Sequence, residues 1–149
     1  MRVANIVFPA FNAYDGKVAT EIYISGCYRQ CPNCHNPELL DFDFGLPLKL
    51  KVLKHLLQKT SFLSDVFAVL GGDLLCQDEA EAKEFSKYLR QVFKKKELWL
   101  FTGAEMEKIP DWVREIYDVI KTGRYIEELK CEGFPSSTNQ KVWKKGVDY

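Results

Sequence analysis

Three of the chain's five cysteines fall within eight positions, in the stretch SGCYRQCPNCHNPELL from Ser25 to Leu40. Cys27, Cys31 and Cys34 are spaced C-x3-C-x2-C, which lets one loop turn three sulfurs toward a common centre. Thiolates are soft ligands that suit zinc or iron–sulfur clusters. A structural zinc closes a four-ligand shell, commonly with a second Cys or His pair farther along the chain. The sequence has no second C-x2-C or H-x3-H pair. Candidates for a fourth protein ligand are His35, directly after Cys34, and the isolated Cys76, Cys131 and His55. A four-iron cluster held by three cysteines would instead leave one iron open to a small molecule, and the missing ligand reads best as the place where that molecule chelates.

A second group of residues carries weaker chemistry. Gly71 and Gly72 lack a Cβ, so the backbone there can approach a ligand closely and offer carbonyls to an ammonium group. Asp73 can add a charge-assisted contact to the same amine, although a tight turn with a solvated Asp gives the same pattern. Tyr28, inside the cysteine loop, is a candidate shield against water. By default Cys76 and Cys131 are plain thiols and His55 a surface histidine.

The elements that must position these groups follow from periodicity. TEIYIS (Thr20 to Ser25) reads as a strand running into the cysteine loop. Leu46, Leu50, Leu53 and Leu57 fall at helical spacing with lysines between them. DVFAVL (Asp65 to Leu70) has the continuous apolar character of a buried parallel strand and ends at Gly71-Gly72. A helix from Asp78 to Phe93, a strand ELWLFTG, a helix starting at Pro110, a strand DVIKT and a further helical turn or two in RYIEELK complete the alternation. QKVW is a possible last short strand. Such alternation predicts an α/β fold, and the chain is too short for a closed eight-unit barrel of about 250 residues. The expectation is a partial, open (β/α) barrel of four to five parallel units in a single domain spanning 1–149. Ligands gather at the carboxyl ends of the strands in such folds, so the cysteine loop, Gly71-Gly72-Asp73 and Thr102-Gly103 are expected on one side.

Composition excludes several alternatives. Apolar residues make up 46% and charged residues 28%, a globular balance. With 21 basic and 21 acidic side chains there is no broad positive field for tracking nucleic acid. The N-terminal MRVANIVFPAF is interrupted by Asn5 and Pro9 and is too short for a signal-peptide core. No apolar run approaches the roughly 18 residues of a membrane span. An odd number of cysteines without an export signal points to reduced thiols or metal ligands in the cytoplasm.

GCYRQCPNCHNPEL resembles the signature of the radical S-adenosylmethionine superfamily, and within it the small activases of glycyl-radical enzymes, especially those serving anaerobic ribonucleoside-triphosphate reductase. LGGDLL is similar to that family's Gly-Gly-acid segment, LWLFTG to its next strand with Thr-Gly, and SSTNQKV to its C-terminal Ser-Asn-Gln-basic stretch. The chain departs from the family at Leu74, where Pro is common, at Ala104, and at KTGRY (Lys121 to Tyr125). The resemblance implies a radical S-adenosylmethionine core holding a [4Fe-4S] cluster on Cys27, Cys31 and Cys34, with S-adenosyl-L-methionine as second cofactor. It implies cofactor contacts from Asn33, Cys34 and His35, through the backbone, and from Gly71, Gly72 and Asp73. Asn139 and Gln140 would lie near the nucleotide, and Arg124 could meet a carboxylate. The implied activity is reductive cleavage of S-adenosylmethionine to place a glycyl radical on anaerobic ribonucleotide reductase, with an external one-electron donor such as flavodoxin. Rival readings are a superfamily member acting on a small molecule, as 7-carboxy-7-deazaguanine synthases do, an activase of another glycyl-radical enzyme, and a structural zinc module.

Overall fold

In the computed structural model, which describes residues 1–149, seven strands join one sheet. They are β1 (Arg2–Ala10), β2 (Ala19–Ser25), β3 (Leu46–Pro47), β4 (Val66–Gly71), β5 (Glu97–Phe101), β6 (Val119–Thr122) and β7 (Lys141–Lys144), in the order β3-β1-β2-β4-β5-β6-β7. The helices are α1 (Leu50–Gln58), α2 (Glu79–Val92) and α3 (Asp111–Ile116).

This sheet corrects the expected partial barrel of four to five parallel β/α units. Only β2, β4, β5 and β6 run parallel, joined by three crossovers that carry one helix each. The remaining strands are antiparallel: β1 against β2 and β3, and β7 against β6. The physical reason lies in the connections. A parallel neighbour requires a crossover of a dozen or more residues, whereas residues 11–18 simply turn the chain back and make β1 and β2 an antiparallel pair. Periodicity misses β1 because Asn5 and Pro9 interrupt its pattern, and register shifts between Val3 and Asn5 and between Val7 and Ala10 show the strand accommodating them. Leu46 is also not part of α1. It stands in the edge strand β3 and is 75% exposed, while Leu53 and Leu57 supply the buried side of the helix.

The two faces of the sheet are covered unequally. Alternate residues of the parallel strands, Ile22, Ile24, Phe67, Val69, Leu98, Leu100 and Ile120, form the main core with buried residues of all three helices. Within α2 the stripe is Ala82, Phe85 and Leu89, and the helix starts where the Asp78 carboxylate accepts from the Glu81 amide at 3.1 Å. The opposite face has a smaller core of Tyr14, Ala19, Val66, Ala68, Trp99 and Val119. No helix covers it. Tyr14, from the β1–β2 connection, packs edge-on against Trp99 with ring centroids 5.2 Å apart, and Phe134, from the β6–β7 connection, stacks on Phe101 at 5.3 Å. No helix of the protein is long and apolar enough to cross a membrane.

Candidate functional site

Beyond the carboxyl ends of β2, β4, β5 and β6, on the helix-free side, lies a cavity of about 260 Å³. Cys27, Cys31 and Cys34 line it together with Gly71, Gly72, Asp73, Thr102 and Gly103. Leu70, Phe101 and Lys121 reach it from the strands themselves. Residues far apart in sequence thus converge at one place because four parallel strands end there together.

The turn after β4 fixes the cysteine loop to the sheet. Gly71 adopts φ +110°, and a Cβ there would stand 2.6 Å from the Ile24 carbonyl oxygen. A Cβ on Gly72 would come equally close to the Gly26 oxygen. These glycines therefore allow the end of β4 to press against the residues leading into Cys27. The Gln77 side-chain amide adds a clamp, donating to the backbone oxygens of Ser25, Gly26 and Asp73 at 3.1, 2.9 and 3.2 Å.

Asp73 is buried, and both its oxygens are engaged. Arg29 Nε donates to it at 2.6 Å, the Thr102 hydroxyl reaches both oxygens at 2.9 Å, and the amides of Gly103 and Leu75 each donate at 2.9 Å. Since Arg29 lies between Cys27 and Cys31, the carboxylate ties the cysteine loop to the ends of β4 and β5. Its polar capacity goes to holding the wall of the cavity, so a contact with a ligand amine would have to displace one of these donors.

The other residues singled out by sequence divide into two groups. His35 lines the cavity and lies against Tyr125, ring centroids 4.5 Å apart. Arg124 lines it as well and donates to the Arg29 carbonyl, while the Asn139 amide holds the Arg124 carbonyl at 2.9 Å. Gln140 lines the cavity and donates to the Gly123 carbonyl at 3.1 Å. Asn33 is exposed and stands outside the cavity wall, in a left-handed conformation with φ 57°. Tyr28 is exposed and lines a separate cavity of about 380 Å³ beside Trp112. His55 is exposed on α1, and Cys131 donates to the Pro135 carbonyl at 3.2 Å. Cys76 is buried with its Sγ 4.0 Å from that of Cys27. The shared hydrogen bond pulls Cys76 down to about 7 and, with burial, pushes Cys27 up, so this pair yields its first proton more readily than its second.

Lys121 is the functional candidate that sequence reasoning missed. It lies in β6 on the cavity side, and burial lowers its ammonium to about 8, partly offset by the nearby Asp73 and Cys31. A lysine directly after Val119 and Ile120 in an expected parallel strand was the available signal.

Three thiolates suit either a single metal ion or a multi-iron cluster, and the two differ in how far apart they hold the sulfurs. The only three metal-ligating atoms within 4.8 Å of one another belong to Cys27, Asp73 and Cys76. Cys27, Cys31 and Cys34 are spread more widely than that, whereas a tetrahedral zinc with Zn–S bonds of about 2.3 Å holds its sulfurs about 3.8 Å apart. Three thiols spread around the wall of one cavity fit a multi-iron cluster better than a single ion.

Comparison with known proteins agrees with this geometry. The family described as a 4Fe-4S single cluster domain matches residues 15–143. The chain is 25% identical over 126 residues to the anaerobic ribonucleoside-triphosphate reductase-activating protein of Enterobacteria phage T4, covering 82% of this chain and 81% of that protein. It is 23% identical over 130 residues to the protein of the same name in Escherichia coli (strain K12), covering 81% and 84%. The counterpart in Pasteurella multocida (strain Pm70) is 28% identical over 92 residues, 59% of this chain and 58% of its own length.

Proposed function

The chain belongs to the 4Fe-4S single cluster domain family, and on that premise we propose that it is an activase of anaerobic ribonucleotide reductase that works by radical S-adenosylmethionine chemistry. The observation that carries the proposal is the convergence of Cys27, Cys31 and Cys34 with Gly71 and Gly72 on one cavity at the ends of the parallel strands. The relatives named for activation of that reductase support the choice of partner. The chemistry a bound [4Fe-4S] cluster supplies is the electron for reductive cleavage of S-adenosylmethionine, which ends in a glycyl radical on the partner reductase. The electron would come from an external one-electron donor such as flavodoxin.

The chain's own residues bind, orient and exclude water. Cys27, Cys31 and Cys34 would hold the cluster through their three thiolates, and an iron without a protein ligand would be the place for the methionine moiety of S-adenosylmethionine. The backbone around Gly71 and Gly72 borders the amine. Lys121 offers the one cationic group that rises from the strands into the cavity, and it suits the carboxylate. Cys34 and His35, followed by Asn36, form the part of the wall that would border the adenosine, with Asn33 contributing through the backbone of the same loop. Phe101 and Phe134 make an apolar wall that keeps water from the reacting atoms. Asp73 acts through Arg29, holding the cysteine loop in place.

The test is anaerobic loading with iron and sulfide, followed by ultraviolet–visible and electron paramagnetic resonance spectra of the reduced protein with and without S-adenosylmethionine. The expected result is a brown protein whose reduced-cluster signal shifts on addition of the ligand, and a glycyl-radical signal when an anaerobic reductase is added. A protein that takes up zinc in place of iron, or a cluster whose signal is indifferent to S-adenosylmethionine, would overturn the proposal.

A further inference from the structure

Cys76 is a thiol that the proposed function does not use. It ends the short turn Leu74–Cys76, in which the Asp73 carboxylate accepts from the Leu75 amide and the Cys76 amide donates to the Asp73 carbonyl at 3.0 Å. That turn is bound to the start of the cysteine loop through the Asp73 amide, which donates to Gly26 O at 3.1 Å, and through the Gln77 clamp. Both backbones are therefore held in register, and the two sulfurs face each other at 4.0 Å. Cys76 is buried and is not part of the cavity wall, whereas Cys27 is half-buried and lines it. Cys27 thus faces the cavity on one side and a protein thiol on the other.

We propose that Cys27 and Cys76 are a disulfide-forming pair, a modification site that in the cluster-free chain withdraws one of the three iron ligands. The two sulfurs need to close by about 2 Å to reach bonding distance, a movement within reach of side-chain rotation in a loop. Molecular oxygen is the oxidant. The two thiols lose two protons and two electrons, the S–S bond forms, and oxygen is reduced to hydrogen peroxide. Cys27 is half-buried and lines the cavity while Cys76 is buried behind it, so the oxidant reaches the pair from the cavity side. A dithiol reductant reverses the reaction and returns Cys27 to the cluster site. Pairing with Cys76 also shields Cys27 from irreversible oxidation beyond the sulfenic acid while the cluster is absent. The disulfide does not depend on the proposed function, but its consequence for iron loading rests on it.

The experiment exposes the cluster-free full-length chain to air and reads it in two ways. Non-reducing peptide mass spectrometry should find the Cys27 peptide joined to the Cys76 peptide. Iron and sulfide loading without thiol reductant should be nearly lost and should return with dithiothreitol. Cys76→Ser and Cys76→Ala, the second guarding against the cost of a buried hydroxyl, should retain severalfold more iron uptake than wild type after the same exposure. Cys27 found paired with Cys31 or Cys34, Cys76 found as a free thiol, or an equal loss of uptake in the Cys76 variants would overturn the inference. A reduced wild-type chain that never takes up iron would instead sink the cluster assignment, while the mass spectrum still decides the disulfide.

Discussion

On one face of the sheet Phe67 stacks on Phe93 with ring centroids 4.1 Å apart, under helices whose buried side chains close the core. On the other face Lys121, beside Phe101 in register on β5, looks into a cavity with three cysteines on its wall. The first face is mainly apolar where it is buried, and hydroxyls buried there pair with one another, Ser86 with Tyr117 at 2.9 Å and Thr20 with Ser64 at 2.6 Å. The second carries a lysine, a buried carboxylate and thiols at the ends of the same strands. Stability and site chemistry have been assigned to opposite sides of one sheet, and a side that keeps polar groups out of water forgoes some stability for them.

The largest effect that would sharpen this contrast is expected on the helix side. Phe67 is fully buried and belongs to the main core. Phe67→Ala should cost about 3–5 kcal/mol through lost burial and the cavity left behind. Iron bound per folded molecule should stay unchanged, because Phe67 touches nothing in the cysteine cavity. Urea unfolding of the cluster-free chain gives the first quantity, and iron analysis of the folded fraction gives the second. A variant that unfolds easily and also binds less iron when folded would break the separation of the two faces.

At the junction of the faces the expected effect is smaller in energy and larger in chemistry. Asp73→Ala removes the acceptor for Arg29, Thr102, Gly103 and Leu75 at once. Stability should fall by about 2–4 kcal/mol, less than for a wholly buried ion pair because Arg29 keeps some access to water. Iron retention should fall as well, since the cysteine loop loses its tie to β4 and β5. Full retention of iron in a chain with the expected loss of stability would show that the loop is held by Gln77 and the glycine contacts alone.

How much of this could be read beforehand depends on the range of the interaction. The grouping of Cys27, Cys31 and Cys34 is readable because all three lie on one short loop, and the structure places that loop on the cavity wall. Gly71-Gly72-Asp73 is readable as a strand end, and the structure adds the reason for the glycines: the Gly26 and Ile24 carbonyls occupy the space of their missing Cβ atoms. The parallel strands and α2 follow from period, but β1 does not, because Pro9 and the register shifts disguise it. The predicted barrel failed at the edges, where antiparallel neighbours need no helix and leave no alternation to detect. The Arg29–Asp73 pair spans 44 positions and the Cys27–Cys76 pair 49, and no local pattern encodes either.

The smallest effect runs in the opposite direction. Burial holds the Lys121 ammonium down at about 8, from an ordinary 10.5, in the chain without its ligands. A base whose folded value lies below its unfolded value binds fewer protons when folded, so stability rises with pH between those two values and carries its full penalty below about 8. The shift corresponds to at most about 3 kcal/mol, and water in the cavity reduces it, so Lys121→Met should stabilise the cluster-free chain by about 1–3 kcal/mol at pH 7. That gain should shrink from pH 8 upward and vanish near pH 10.5, where the lysine is neutral in both states. The same variant should bind S-adenosylmethionine more weakly once the cluster is loaded, because the cation proposed for its carboxylate is gone. Chemical denaturation across that pH range, paired with ligand titration of the loaded protein, separates the two effects. A stabilised variant with unchanged ligand affinity would leave Lys121 as a buried charge without a role in the site, and a destabilised one would mean that its attraction to Asp73 outweighs the cost of its burial.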